Sequence, residues 1–156
     1  MSSYADRLAA LREQLKADRL DGFVVPLTDE HMSEYVGSYA QRLAWLTGFE
    51  GSAGSAVVLP EEAAIFVDGR YTLQVRDQVD GNHWSYQSVP ETSISDWLKL
   101  HAPDGGRIGY DPWLHTCAAR SPQYSARGRR RCHRRLWFEW STTCRSRCCR
   151  FAQRPC

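Results

Sequence analysis

Leu8, Leu11 and Leu15 recur at spacings of three and four, with Arg7, Arg12, Glu13 and Lys16 elsewhere, so the opening stretch predicts an amphipathic helix. Ser2 or Ser3 can cap its start, and Asp21-Gly22 marks its end. Phe23-Val24-Val25, closed by Pro26, predicts a short strand buried on both faces. The pattern then turns polar from Thr28 to Ser38, a loop long enough inside a compact domain to be functional or disordered. Arg42 to Leu46 is short and apolar, and a glycine-rich passage follows it. Ala56 to Leu59 and Ala63 to Val67 are strand-length runs joined through Pro60-Glu61-Glu62, which predicts a hairpin. Helical spacing, though imperfect, returns from Arg70 to Val79, and Trp84 to Val89 alternates as a half-buried strand does. Thr92 or Ser93 caps a helix bearing Ile94, Trp97, Leu98 and Leu100, and Arg107-Ile108-Gly109-Tyr110 predicts a last strand. Such alternation with an embedded hairpin implies an α/β domain, its mixed, mostly parallel sheet flanked by helices.

Charge divides the chain. Residues 1–116 hold 9 Lys and Arg against 17 Asp and Glu, a net of −8, and no cysteine; residues 117–156 hold 11 Arg, one acid and all six cysteines, a net of +10. The second stretch has a single Leu and no Val, Ile or Met, so it lacks the aliphatic side chains that fill a core. Ordering it would cost more conformational entropy than its burial returns, and disorder or a poorly packed helix is expected there. An arginine-rich arm could bind nucleic acid, and six cysteines could hold a metal, but paired Cys-x-x-Cys spacing is absent and Trp137-Phe138-Glu139-Trp140 suits neither role. The abrupt gain of Arg, Cys and Trp with the loss of Asp, Lys, Ile and Val is the pattern a shifted reading frame near residue 116 would leave. No apolar run of membrane-spanning length and no secretory leader is visible, which with a cysteine-free first part points to the cytoplasm.

Several motifs hold residue types that do chemistry. Asp29, Glu30, His31 and Glu34 are metal-ligating types, and His31-x-x-Glu34 could set two ligands on one helical face. A His-Glu-x-x-His signature is absent, and a polar loop cluster is more often hydrogen-bonded structure, so no metal is assigned. Gly51-Ser52-Ala53-Gly54 lacks the Lys-Ser/Thr of a phosphate loop and the elbow of a serine nucleophile, which leaves close backbone packing as its role. Asp68-Gly69-Arg70-Tyr71 stands at a strand-to-helix corner, where Asp68 can cap the helix through the backbone N–H groups near Tyr71. Trp45, Trp84 and Trp97 have no basic groove beside them and read as core or interface anchors.

In order along the chain, Asp29-Glu30-His31-Met32-Ser33-Glu34-Tyr35, Gly48-Phe49-Glu50-Gly51-Ser52-Ala53-Gly54 and Asp68-Gly69-Arg70-Tyr71, with Arg42 and Gly109-Tyr110-Asp111-Pro112, resemble the N-terminal domain of the three-domain aminopeptidase P enzymes, of the creatinase/prolidase N-terminal family. The resemblance covers residues 5 to 115. It implies a non-catalytic domain of a proline-specific metallo-aminopeptidase, which releases an N-terminal residue preceding proline. It also implies that two divalent metals, manganese among them, sit in a separate catalytic domain whose two Asp, one His and two Glu have no match here. No catalytic residue, metal ligand or cofactor is therefore expected in this chain. The implied partners are that catalytic domain or a second subunit, in a homo-oligomer, with no membrane or nucleic acid. His31, Glu34, Tyr35, Arg42 and Arg70 become candidates to face substrate or partner domain. Gly48, Phe49, Gly51, Ser52, Gly54, Asp68, Gly69 and Tyr71 form the structural motif. A stand-alone interaction module on the same fold is the alternative. If the enzyme domain folds alone, the face meant for missing domains is expected to be apolar and prone to association.

Overall fold

The computed structural model describes residues 2–29, 31, 33, 35–115 and 131–132. Helix α1, Tyr4–Asp18, starts at a capping box in which Ser3 and Asp6 satisfy each other's backbone N–H groups. It ends at Arg19, whose φ of 55° is the left-handed cap usually given to glycine. Leu8, Leu11 and Leu15 are the buried positions of α1, as their spacing predicts.

Strands β1 (Gly22–Pro26), β2 (Ser55–Val58), β3 (Ala63–Val67), β4 (Ser85–Ser88), β5 (Ile108–Tyr110) and the two-residue β6 (Arg131–Cys132) form one sheet in the order β4-β3-β2-β1-β5-β6. The predicted hairpin is β2–β3, antiparallel, and β1 is also antiparallel to β2. The β1–β5, β3–β4 and β5–β6 pairs are parallel, so the sheet is mixed and mostly parallel, as the pattern implies. Every residue of β1 and β3 is buried, consistent with strands covered on both sides.

The helices are α2 (Arg42–Thr47), α3 (Gln74–Gln78) and α4 (Ile94–His101), besides α1. One apolar layer joins α1 and α2 to Phe23, Val25, Phe49, Ile65 and Trp84. The other packs Trp97 and Leu98 of α4 on Val24, Val57 and Phe66. Valines of β1 thus alternate between the two layers. Two sequence expectations are corrected, and Arg42–Thr47, unassigned from sequence, is a helix too short for its apolar run to display a period. The stretch expected to be helical from Arg70 breaks into a 3₁₀ turn, Gly69–Tyr71, followed by the single-turn α3. Leu100, read as part of the apolar face of α4, is 82% exposed. The expectations for residues 117–156 fall outside the described residues, apart from Arg131–Cys132.

Candidate functional site: the strand-end edge

Strand directions put the motifs in one place. Since β1, β3, β4 and β5 run the same way and β2 runs against them, the ends of those four and the start of β2 share one edge of the sheet. The polar loop after β1, the glycine-rich passage before β2, the Asp68 turn after β3 and the Asp111-Pro112 turn after β5 all open there. Ligand and partner sites of α/β sheets favour such an edge, because loops with free side chains gather on a rigid base.

Two clusters occupy it. In the first, Arg42 opens α2 and its Nη2 lies 3.4 Å from Oδ2 of Asp111, both side chains largely buried. Burial pushes the Arg42 guanidinium below its ordinary range, and the adjacent carboxylate opposes that shift. Oδ1 of Asp111 accepts the Trp113 N–H at 2.9 Å, the cap of a 3₁₀ turn with Pro112 at its start. His115 Nδ1–H donates to the Asp111 carbonyl at 2.8 Å, and Thr28 Oγ1 donates to the Leu114 carbonyl at 2.5 Å. The loop after β1 and the turn after β5 are thereby tied together, with α2 bound in by charge. Within that loop Asp29 is buried, and it accepts the backbone N–H groups of His31 and Ser33, each at 2.9 Å. These bonds, Ser33's above all, hold the Asp29 carboxyl below the usual range. Asp29 is therefore an Asx turn that shapes the loop.

The second cluster joins the other two motifs. Phe49 is fully buried, with its ring edge-to-face with Tyr71 at 5.7 Å between centroids. Ser52 Oγ and Tyr71 Oη are 2.5 Å apart, and this contact with Ser52 lowers the Tyr71 pKa. Gly51 is buried at the junction. A Cβ there would overlap the Phe49 ring and come within 2.9 Å of Tyr71, so only glycine lets the backbone pass. Gly48 ends α2 at φ 83°, again a glycine position. Gly54 accepts the Leu27 N–H at its carbonyl, which ties this passage to β1. Asp68 caps the 3₁₀ turn by accepting the Arg70 N–H, and the Arg70 side chain grips both of its carboxylate oxygens, the shorter contact being 2.6 Å. That hydrogen bonding holds the Asp68 carboxyl low.

The candidate residues therefore separate. His31 and Tyr35 are exposed in the loop after β1, and Arg70 is exposed on the Asp68 turn, where Gly69 has open space around it. Arg42 points inward to Asp111. Glu34, like Glu30 and Met32, lies outside the described residues. Asp111, Thr28 and His115 escaped sequence reasoning as partners, because each acts on a residue 69 or more positions away or within a turn only the fold creates. The Asp-Pro pair was the available signal for a capped turn.

Fold and edge together define an α/β domain whose sequence motifs converge on packing clusters. The profile of the Creatinase/Prolidase N-terminal domain matches residues 7–126, so the chain belongs to that family. It is 45% identical over 108 residues to Xaa-Pro aminopeptidase 2 of Rattus norvegicus, covering 69% of this chain and 16% of that protein. The corresponding Homo sapiens protein is 46% identical over 107 residues, again with 16% of it covered. The chain thus spans about a sixth of these relatives. Among solved structures, X-prolyl aminopeptidase of Caenorhabditis elegans, described as a cytosolic enzyme with a di-nuclear active site, matches 78% of this chain with 22% of its own length, at 34% identity and a TM-score of 0.71. The N-terminal domain of a metallopeptidase from Corynebacterium diphtheriae shares the fold at a TM-score of 0.56 and 21% identity. Among the described residues no group of three or more His, Cys, Asp or Glu could hold a metal ion, so they do not fit a di-nuclear centre. No helix of the described residues is long and apolar enough to cross a membrane.

Proposed function

We propose that this chain is the non-catalytic N-terminal domain of a proline-specific aminopeptidase, serving assembly and substrate access while the chemistry belongs to a separate catalytic domain. The observation that carries this reading is the 45% identity to an Xaa-Pro aminopeptidase over 108 residues that make up only 16% of it. The packing and capping roles of Asp29, Phe49, Gly51, Ser52, Asp68 and Tyr71, with no metal-holding group of His, Cys, Asp and Glu among the described residues, support a scaffold role. In this reading His31, Glu34, Tyr35 and Arg70 face substrate or the catalytic domain, and Arg42 acts behind them by fixing the loop that bears the first three. The two metals, manganese by preference, belong to the catalytic domain, and the working assembly is a homo-oligomer in the cytoplasm. Residues 117–156 are read as a separate, frame-shifted tail.

Grafting residues 5 to 115 into the Caenorhabditis elegans enzyme in place of its matching segment tests the reading. A chimera that cleaves Xaa-Pro peptides, where deletion of the segment does not, is the expected result. A deletion variant as active as the chimera would contradict it. The alternative, a stand-alone interaction module, would instead show a specific soluble partner for the chain with no affinity for the aminopeptidase.

A further inference from the structure

Four Asp-Gly pairs stand in the chain: Asp21-Gly22, Asp68-Gly69, Asp80-Gly81 and Asp104-Gly105. Such pairs share one latent reaction. The glycine nitrogen attacks Cγ of the neutral aspartyl side chain, the N–H proton leaves with the carboxyl OH as water, and a succinimide ring closes. Water then reopens the ring at either carbonyl, giving back aspartate or giving isoaspartate, with no oxidant, reductant or cofactor. Glycine favours the attack because no Cβ crowds its nitrogen. The fold decides which pair has both reacting groups free.

Three pairs are held. Oδ2 of Asp21 accepts the Arg107 N–H at 2.7 Å, and Gly22 is buried at the start of β1 beside Ile108 of β5. Asp68 is gripped by Arg70, and Oδ1 of Asp80 accepts both the backbone N–H and the side-chain amide of Asn82, at 2.9 and 2.8 Å. These bonds hold the Asp68 and Asp80 carboxyls below the usual range, so the neutral acid that loses water is scarce at both.

Asp104-Gly105 differs. The Gly106 N–H donates to the Pro103 carbonyl at 2.9 Å, so Asp104 and Gly105 are the central residues of a turn between α4 and β5. Gly105 has φ 75°, as the second central residue of a type II turn requires, with open space around it. Both residues are exposed, and among the described residues neither the Asp104 carboxyl nor the Gly105 N–H has a hydrogen-bond partner. Turn types I and II differ by rotation of the central peptide, so this peptide can swing its nitrogen toward the carboxyl while the flanking elements stay in place.

We propose that Asp104-Gly105 is the site of spontaneous isoaspartate formation in this chain, set by a free carboxyl and a free glycine nitrogen at the tip of the turn between α4 and β5. The product carries one more methylene in its main chain and a carboxylate displaced onto the backbone. Beyond the turn, Asp21 and Arg107 exchange two hydrogen bonds, at 2.9 and 2.7 Å, which keep β5 beside β1 in the modified chain.

Ageing the 156-residue chain in heavy-oxygen water at neutral pH, beside a sample in urea, tests it. Peptides spanning the four pairs are read by mass spectrometry for isoaspartate and for incorporated heavy oxygen. In buffer, isoaspartate at Asp104 is expected to accumulate faster than at Asp21, Asp68 or Asp80 by about tenfold, because only there are both groups free to meet. In urea the four rates should draw together. Equal rates in buffer, or a faster rate at another pair, would overturn the proposal. A ranking unchanged in urea would also overturn it, since the preference would then owe nothing to the fold. Arg70→Gln supplies a second check: releasing Asp68 should raise its rate several-fold and leave Asp104 unchanged. No rise at Asp68 would contradict the claim that tethered carboxyls are what single out Asp104.

Discussion

Two ion pairs stand on one edge of this sheet and share their chemistry but not their consequence. Asp68 and Arg70 are two residues apart, in contact at 2.6 Å, with side chains 31% and 70% exposed. Arg42 and Asp111 are separated by most of the domain, stand 3.4 Å apart, and are 14% and 6% exposed. The shorter pair settles one local turn, in water that screens it. The longer one joins a helix to the turn after β5, in largely buried surroundings where water screens it far less. Separation along the chain and burial, more than contact distance, decide which pair holds the domain together.

The sharpest way to break that comparison is Asp111→Ala, which deprives Arg42 of its buried counter-ion. A loss of about 3–5 kcal/mol in urea unfolding is expected. A loss comparable to that of a surface pair would show that water reaches Arg42 after all. Phe49→Ala should cost a similar or slightly smaller amount, about 3–5 kcal/mol, because its fully buried ring anchors the second cluster. Gly51→Ala should cost about 1–3 kcal/mol by forcing a methyl group against that ring. If Gly51→Ala were neutral, the close approach of the glycine passage to Phe49 and Tyr71 would be wrong.

Acid sharpens the comparison further. The Asp29 carboxyl is held low by the Ser33 and His31 backbone N–H groups, so its contribution is complete above the unfolded carboxylate range and vanishes as pH falls through the lower folded value. The gap between the parent and Asp29→Asn urea midpoints should therefore be full at pH 7, begin to narrow near pH 4 and go on narrowing as the pH falls further. A gap as wide at pH 2 as at pH 7 would mean that the side chain acts by shape alone. Arg70→Gln, which removes the exposed pair, should leave the urea midpoint within experimental error and so mark the lower end of the scale.

Much of this fold is legible in the residues themselves. The leucine spacing of α1, the all-apolar Phe23-Val24-Val25 and the two runs flanking Pro60-Glu61-Glu62 each contain enough positions to show their period and burial. The six-residue α2 contains too few, and its nature is decided by Leu43 and Leu46 packing under the sheet. The left-handed cap at Arg19 breaks the rule that glycine marks a helix end, so the expected stop at Asp21-Gly22 fell three residues late. For the candidate site, the motifs were visible but their pairing was not. Nothing in the order of residues says that Ser52 meets Tyr71 or that Arg42 meets Asp111; those contacts exist only because β1, β3 and β5 end on the same edge. Arg42, a candidate to face substrate or partner domain, also lies beside Asp111, a contact its motif alone does not reveal.

The central claim is that these residues supply scaffold without the chemistry of peptide cleavage. It is tested most directly by incubating the purified 156-residue chain with manganese, removing free ion, and measuring both bound metal and cleavage of a short Xaa-Pro peptide. The expected result is metal far below one equivalent and cleavage no faster than buffer. Two equivalents of retained manganese accompanied by turnover would contradict the account.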